Sequence, residues 1–306
     1  MRLSAILFGS VFMCAALAVA VPLQDQDDVR GAFLTSRPKD KPASSSSSTG
    51  KPSRRRPKTV ASNKSSDKGA ETPVKSTEKT TTSGTTATKT KTPESRPVNV
   101  PRLGIGLTLF TRDSNGLAMR VEPDRVFRKG DRVRILLETN TDGYLYIFNR
   151  TNDGAPVMIY PDAEVDEGGN YLQAHVPFEI PNSAATDERL RWFAFDENTG
   201  TEKVIFVFTR EPLKDVPIED DLIAFCRDGK CPWPVATAVW EHVQAQMQEP
   251  LKTDRTEKFA GAQTPAEHNA TTRGLGLAKD DPQPTLIMMA SSTKPTLVAV
   301  LDLVHK

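Results

Sequence analysis

Gly130–Gly154 reads GDRVRILLETNTDGYLYIFNRTNDG, and the alternation within it decides the fold class. Val133, Ile135 and Leu137 fall on one face of an extended chain and Arg134, Leu136 and Glu138 on the other, which is the pattern of a half-buried strand. Past Asp142-Gly143, Tyr144, Tyr146 and Phe148 alternate with Leu145 and Ile147. Both faces are then apolar, as in a strand central to a domain. Asp153-Gly154 is a second turn signal and leads into APVMIYP.

The same texture extends outward. RLGIGLTLFTRD from Arg102 and GLAMRVEP from Gly116 read as strands, and Lys129-Gly130-Asp131 as a turn. LRWFAFDENTGTEKVIFVFTRE, from Leu190, is expected to be a hairpin closed by ENTG, with Phe193 and Phe195 on one side and Trp192 and Ala194 on the other. Pro234–Gln248 is the one helix candidate, with a proline suited to the first turn and Val239, Val243 and Met247 spaced four apart. Residues 249–284 are polar and rich in breakers, so they read as a loop, and 285–306 as a hairpin that returns to the sheet. Recurrent strands with little helix pattern predict a mainly β, antiparallel sandwich over 99–306, with the disulfide hairpin and helix at 222–248.

The chain outside the sandwich differs in kind. The apolar fraction of the whole sequence is 37%, below the ~45–50% of compact proteins. The net charge of +1 conceals an excess at Ser36–Pro97, where 15 Lys and Arg face 5 Asp and Glu. That stretch is nearly free of aliphatic and aromatic side chains and has too little to bury to offset the entropy of ordering. Residues 21–98 are therefore expected to be a disordered basic linker: a solvated spacer, or a stalk with weak affinity for polyanions. Arg54-Arg55-Arg56 has the look of a nucleic-acid patch, a role at odds with export.

Export is read from MRLSAILFGSVFMCAALAVA, residues 1–20, with one early positive charge, an apolar core, and Ala18 and Ala20 as the small residues of a cleavage site. The alternatives are a retained membrane anchor and lipidation at Cys14, although Phe12 and Met13 precede that cysteine where a lipid signal needs a small residue. Removal of the peptide leaves Cys226 and Cys231, in CRDGKC, as the two thiols of an exported chain. An oxidising compartment and the intervening Asp228-Gly229 turn predict a disulfide that pins a hairpin tip. A redox pair or half a metal site is the alternative, but the spacing is not C-x-x-C and no second pair completes zinc.

FRKGDRVRILLETNTDGYLYIFN, MIYP, FEIP and WFAFDENTGTEKVIFVFTREPL together resemble the bacterial family known as domain of unknown function 4384, over roughly 116–217. The most specific pieces are Gly130-Asp131, Asp142-Gly143-Tyr144-Leu145, Gly200-Thr201-Glu202 and Arg210-Glu211-Pro212-Leu213. The resemblance implies a bacterial source and an Ig-like β-sandwich, carries no reaction, and extends neither to the linker nor to the cysteines.

Motifs for chemistry are sparse. His175, His242, His268 and His305 are scattered, with no H-E-x-x-H and no G-x-S-x-G. In PDAEVDEGGN, residues 161–170, the acidic loop 162–170 has Asp162, Glu164 and Asp166 alternating as calcium ligands would, but Glu167 stands where an EF-hand-type loop needs its glycine. Tyr144, Tyr146, Phe148, Trp192 and Phe193 are read as core, with a sugar or peptide platform as the alternative. Glu202 is read as a turn acceptor. The expectation is a non-catalytic exported module of the periplasm, cell envelope or extracellular space that binds a protein partner, with no cofactor, no nucleic acid and no membrane span after signal removal. The alternative is an enzyme or a calcium- or glycan-binding domain that uses the acidic loop.

Overall fold

The computed structural model describes residues 28–40, 54–56, 100–257 and 259–306. Thirteen strands run in the order β1 (Gly104–Arg112), β2 (Ala118–Val121), β3 (Val126–Phe127), β4 (Arg132–Thr139), β5 (Gly143–Thr151), β6 (Val157–Tyr160), β7 (Tyr171–Leu172), β8 (Phe178–Ile180), β9 (Phe193–Ala194), β10 (Gly200–Thr209), β11 (Leu251–Arg255), β12 (Leu286–Ala290) and β13 (Thr296–His305). Among the described residues four α-helices accompany them: α1 (Val29–Leu34), α2 (Glu219–Arg227), α3 (Thr237–Met247) and α4 (Pro265–Arg273).

The strands form a mainly β sandwich. One sheet has the order β11-β12-β1-β4-β8, with β2 beside β1 and β9 beside β4; the other has the order β3-β13-β10-β5-β6, with β7 beside β5. Every pair is antiparallel except β3 with β13. Period-two alternation turns Ile105, Leu107 and Leu109 of β1, Val133, Ile135 and Leu137 of β4, Leu145 and Ile147 of β5, and Phe206 and Phe208 of β10 into the space between the sheets, where all are buried.

The outer faces are covered as well, which is why β4 is buried on both sides and not half-buried as its alternation predicts. On the β5 side, Tyr144, Tyr146 and Phe148 pack under Leu222 of α2, Trp233, and Val239 and Val243 of α3. On the β4 side, Phe110, Leu136 and Trp192 form one patch, and Phe33 of α1 forms another with Ile287 and Met289 of β12. The five aromatics of the supposed platform are thereby divided, and only Phe193 stays partly open.

Several local expectations need correction. ENTG does not close a hairpin, since β9 pairs with β4 in one sheet while β10 pairs with β5 and β13 in the other. The segment 285–306 is likewise not a hairpin: β12 lies inside the first sheet and β13 inside the second. The 249–284 loop holds β11 and α4, whose Thr264 and Glu267 form a reciprocal capping box, with Pro265 opening the helix and Gly274 closing it at φ 64. Cys226 and Cys231 are joined, with Cα atoms 4.9 Å apart. They staple the end of α2 and not a hairpin tip, because Glu219, Asp220 and Asp221 suit the positive end of a helix dipole.

The 21–98 linker is interrupted by ordered pieces at 28–40 and 54–56. The Arg54 carbonyl accepts from Tyr171 N at 2.8 Å, and its guanidinium lies 5.3 Å from the centre of the Phe178 ring. Arg55 pairs with Glu167 and Asp220. The basic triplet is thus a packed seam of the domain, held by aromatic and acidic neighbours. The signal peptide with Cys14 and Ala20, and the rest of the linker, lie outside the described residues. Among the described residues no helix is long and apolar enough to cross a membrane.

Candidate functional site

Two constellations gather polar side chains from distant parts of the chain. The first is on the outer face of the β1–β4 sheet. The outward positions of β1 include Gly104 and Gly106, and Gly106 lies beside Glu138 of β4 in register. A Cβ at either glycine would stand only 3.0 or 3.2 Å from the Phe33 ring, so their bareness forms the seat of that ring. Asp28 caps α1 by accepting from Gly31 N, and the short helix turns Phe33 onto the seat at 0% exposure.

The chain then delivers Ser36 and Arg37. Arg37 Nε and Nη2 donate to the two Glu138 carboxylate oxygens at 2.8 and 2.5 Å, and the remaining donors meet the carbonyls of Ala278, Asp281 and Pro282 at 3.1–3.2 Å. All five guanidinium N–H groups are used, as a buried arginine requires. Glu138 Oε1 also accepts from His175 Nδ1 at 2.6 Å, and His175 Nε2 lies 2.7 Å from Ser36 Oγ. The carboxylate can only accept, so Nδ1 carries a proton, and in the neutral ring Nε2 is an acceptor facing the serine hydroxyl. Burial pushes the Glu138 carboxyl up, but the hydrogen bonds and charges of His175 and Arg37 outweigh it and hold its pKa below the ordinary glutamate value. His175 itself sits at φ 57, a left-handed backbone rare for a side chain of its size.

Ser36, His175 and Glu138 have the connectivity of a nucleophile, a base and an orienting acid. Their surroundings do not suit the chemistry. Ser36 Oγ lies 3.1 Å from the Phe33 carbonyl oxygen and 3.3 Å from that of Asn140. Both carbonyls can only accept, so they compete with His175 Nε2 for the single hydroxyl proton that a nucleophilic serine must give to its base. Arg37 also neutralises the carboxylate that would have to stabilise an imidazolium. The arrangement is a latch that fastens residues 28–40 to the sandwich.

The second constellation is a cavity of about 360 Å³ at the β9–β10 end of the space between the sheets. Three neighbouring strands change character there on their inward faces. β5 passes from Leu145 and Ile147 to Asn149 and Thr151, β10 from Phe206 and Val204 to Glu202, and β13 from Leu301 and Leu303 to His305. Glu202 Oε2 accepts from Asn149 Nδ2 at 2.9 Å and Thr151 Oγ1 at 2.8 Å. His305 Nδ1 donates to the Asn198 carbonyl at 2.9 Å, and its buried Nε2 meets no partner. Phe193 and Phe195 line the opposite wall, and Asp196 stands at the rim, its carboxyl kept below the ordinary range by hydrogen bonds from the backbone and side chain of Asn198.

The acidic loop forms no comparable site. Asp162 and Glu164 are exposed, and Asp162 Oδ1 accepts from Glu164 N at 2.7 Å; the Asp166 side chain lies outside the described residues. Among the described residues no three His, Cys, Asp or Glu side chains are grouped so as to hold a metal ion. Sequence reasoning singled out His175, His305 and Glu202 without a partner for any of them. It missed Ser36, Arg37 and Glu138 as a set, because their contacts span more than a hundred residues. A buried-strand glutamate flanked by apolar residues was the available signal.

No match was found among curated proteins or among solved structures. A family model matches residues 126–212, which include Glu138 and His175 but not Arg37, and Asn149 and Glu202 but not His305. Over that span the chain is similar to the family described as Domain of unknown function (DUF4384).

Proposed function

We propose that the protein is a non-catalytic, exported interaction module that recognises short peptide segments on the outer face of its β1–β4 sheet. The observation that carries this reading is the seating of residues 28–40: a one-turn helix places Phe33 on Gly104 and Gly106 and, four residues on, Arg37 on Glu138. A short segment that sets an aromatic and a charged anchor into a groove is a recurrent mode of peptide recognition; here the aromatic leaves the last turn of α1 and the arginine the bend that follows it. Here the chain fills its own groove. A partner segment with an aromatic and an arginine in the same spacing would compete for the seat. With cleavage after Ala20, the covering piece lies close to the mature N-terminus, in the same compartment as such partners.

The test uses the full chain carrying F33A and R37A, which vacates the groove. A labelled peptide of residues 28–40 is expected to bind this variant saturably in fluorescence anisotropy. The unaltered chain should need far more peptide, since its tethered copy acts at a millimolar-range effective concentration. Absence of saturable binding to the variant, with its near-ultraviolet circular dichroism intact, would overturn the reading. The serine–histidine–carboxylate connectivity supplies the competing enzyme reading, and a fluorophosphonate probe decides it: no labelling of Ser36 is expected, and labelling that disappears in H175A would establish a reactive serine.

A further inference from the structure

We infer that the cavity between the ends of β5, β10 and β13 is a binding site for a small organic ammonium, a cationic amine on a short apolar body. Strand parity carries the argument. Along each of these strands the inward positions are apolar until the last one or two, where they become Asn149 and Thr151, Glu202, and His305. A sandwich core gains nothing from polar groups pointing inward, and three adjacent strands making the same change at the same end build one polar pocket.

The pocket's chemistry is one-sided. Both hydrogen bonds that Glu202 accepts within the protein fall on Oε2, which leaves Oε1 for a ligand. His305 is 4% exposed and occupies the inward alternation that runs through Leu301 and Leu303, so its ring points between the sheets. Nδ1 is committed to the Asn198 carbonyl, which can only accept, so in the neutral ring the buried Nε2 is an acceptor with no donor among the described residues. Such a group costs free energy unless something donates to it. Asp196 adds a second carboxylate at the rim, and no lysine or arginine lines the cavity. Its volume falls within the ~300–1,000 Å³ of ligand pockets. Acceptors and negative charge select a donor that is a cation, and the Phe193 and Phe195 wall selects an apolar body.

The site is independent of the peptide groove, being formed on inward faces at the end of the sandwich. The experiment is a thermal melt of the full chain with hexylammonium, hexan-1-ol and hexanoate, followed by titration of the responding compound. Hexylammonium is expected to raise the midpoint saturably, hexan-1-ol to do so less, and hexanoate not at all. E202Q should weaken the hexylammonium response at least tenfold. I159W, which fills the cavity from the inward face of β6 without changing charge, should abolish it, and this keeps the test decisive if E202Q disturbs the melt by itself. A shift no larger for hexylammonium than for hexan-1-ol or hexanoate, or one that survives I159W, overturns the inference.

Discussion

At the latch, Arg37 uses five donors on five acceptor contacts and Glu138 accepts from both Arg37 and His175; at the mouth, Glu202 holds two neutral donors and His305 Nε2 holds none. Both regions place a glutamate on a central strand beside a histidine close by. They differ in where the partners come from. Partners at the latch arrive from a remote piece of the same chain and complete every valence. Those at the mouth come from adjacent strands and stop short. A satisfied buried network fastens structure, and an unsatisfied one waits for something else.

The comparison can be broken with one substitution made at both places. E138Q removes a charge whose partner, Arg37, has a side chain that is 0% exposed. The new amide also turns a donor toward Arg37 or His175, which have only donors to offer it. Breaking a buried pair in this way costs about 3–5 kcal/mol. The cost is bounded by the docking energy of 28–40, because the segment can leave the sheet before the sandwich unfolds. Hydrogen exchange should accordingly show loss of protection in 28–40 and at Gly104 before any change in β10. Equal loss across both sheets would mean that the latch is part of the global fold and not a separate closure.

The same glutamate predicts an acid dependence. Its folded pKa lies below the ordinary value, so the stabilisation is fully present above the unfolded glutamate pKa of about 4.3 and is lost as pH falls through the folded one. Protection of 28–40 should thus decline below about pH 4, given that unfolded value, and E138Q should remove that decline. A profile unchanged by E138Q would assign the acid dependence to another group.

Most of the frame was legible because alternation is a local signal. GDRVRILLET and GYLYIFN are β4 and β5 with the inward residues that their periodicity assigns. Partnership between strands was not legible: ENTG and SSTKP have the composition of hairpin turns, yet each carries the chain from one sheet to the other, and that choice depends on contacts with distant strands. α4 is a different kind of miss. Thr264, Pro265, Glu267 and Gly274 spelled its caps, but the polar run around them outweighed the caps in the reading. It needs little apolar surface because Glu267, 1% exposed, is buried against Arg120 of β2. Docking of 28–40 was hidden in the same way, since one phenylalanine and one arginine in a basic tract have meaning only beside Gly104, Gly106 and Glu138.

The smallest effect is expected where the comparison is sharpest. E202Q exchanges a carboxylate that is half-buried and accepts two neutral hydrogen bonds for an amide of the same shape, whose oxygen can still accept from Asn149 or Thr151. No buried cation loses its partner. The change in unfolding free energy should therefore stay under about 1 kcal/mol, the net scale of a single ordinary hydrogen bond, as measured by urea denaturation with an unchanged m-value. Polar groups retained for binding and not for the fold are those whose removal leaves stability nearly intact while the ligand response fails. A loss at E202Q as large as at E138Q would make the mouth a second fastening, with His305 Nε2 an accepted defect of its packing.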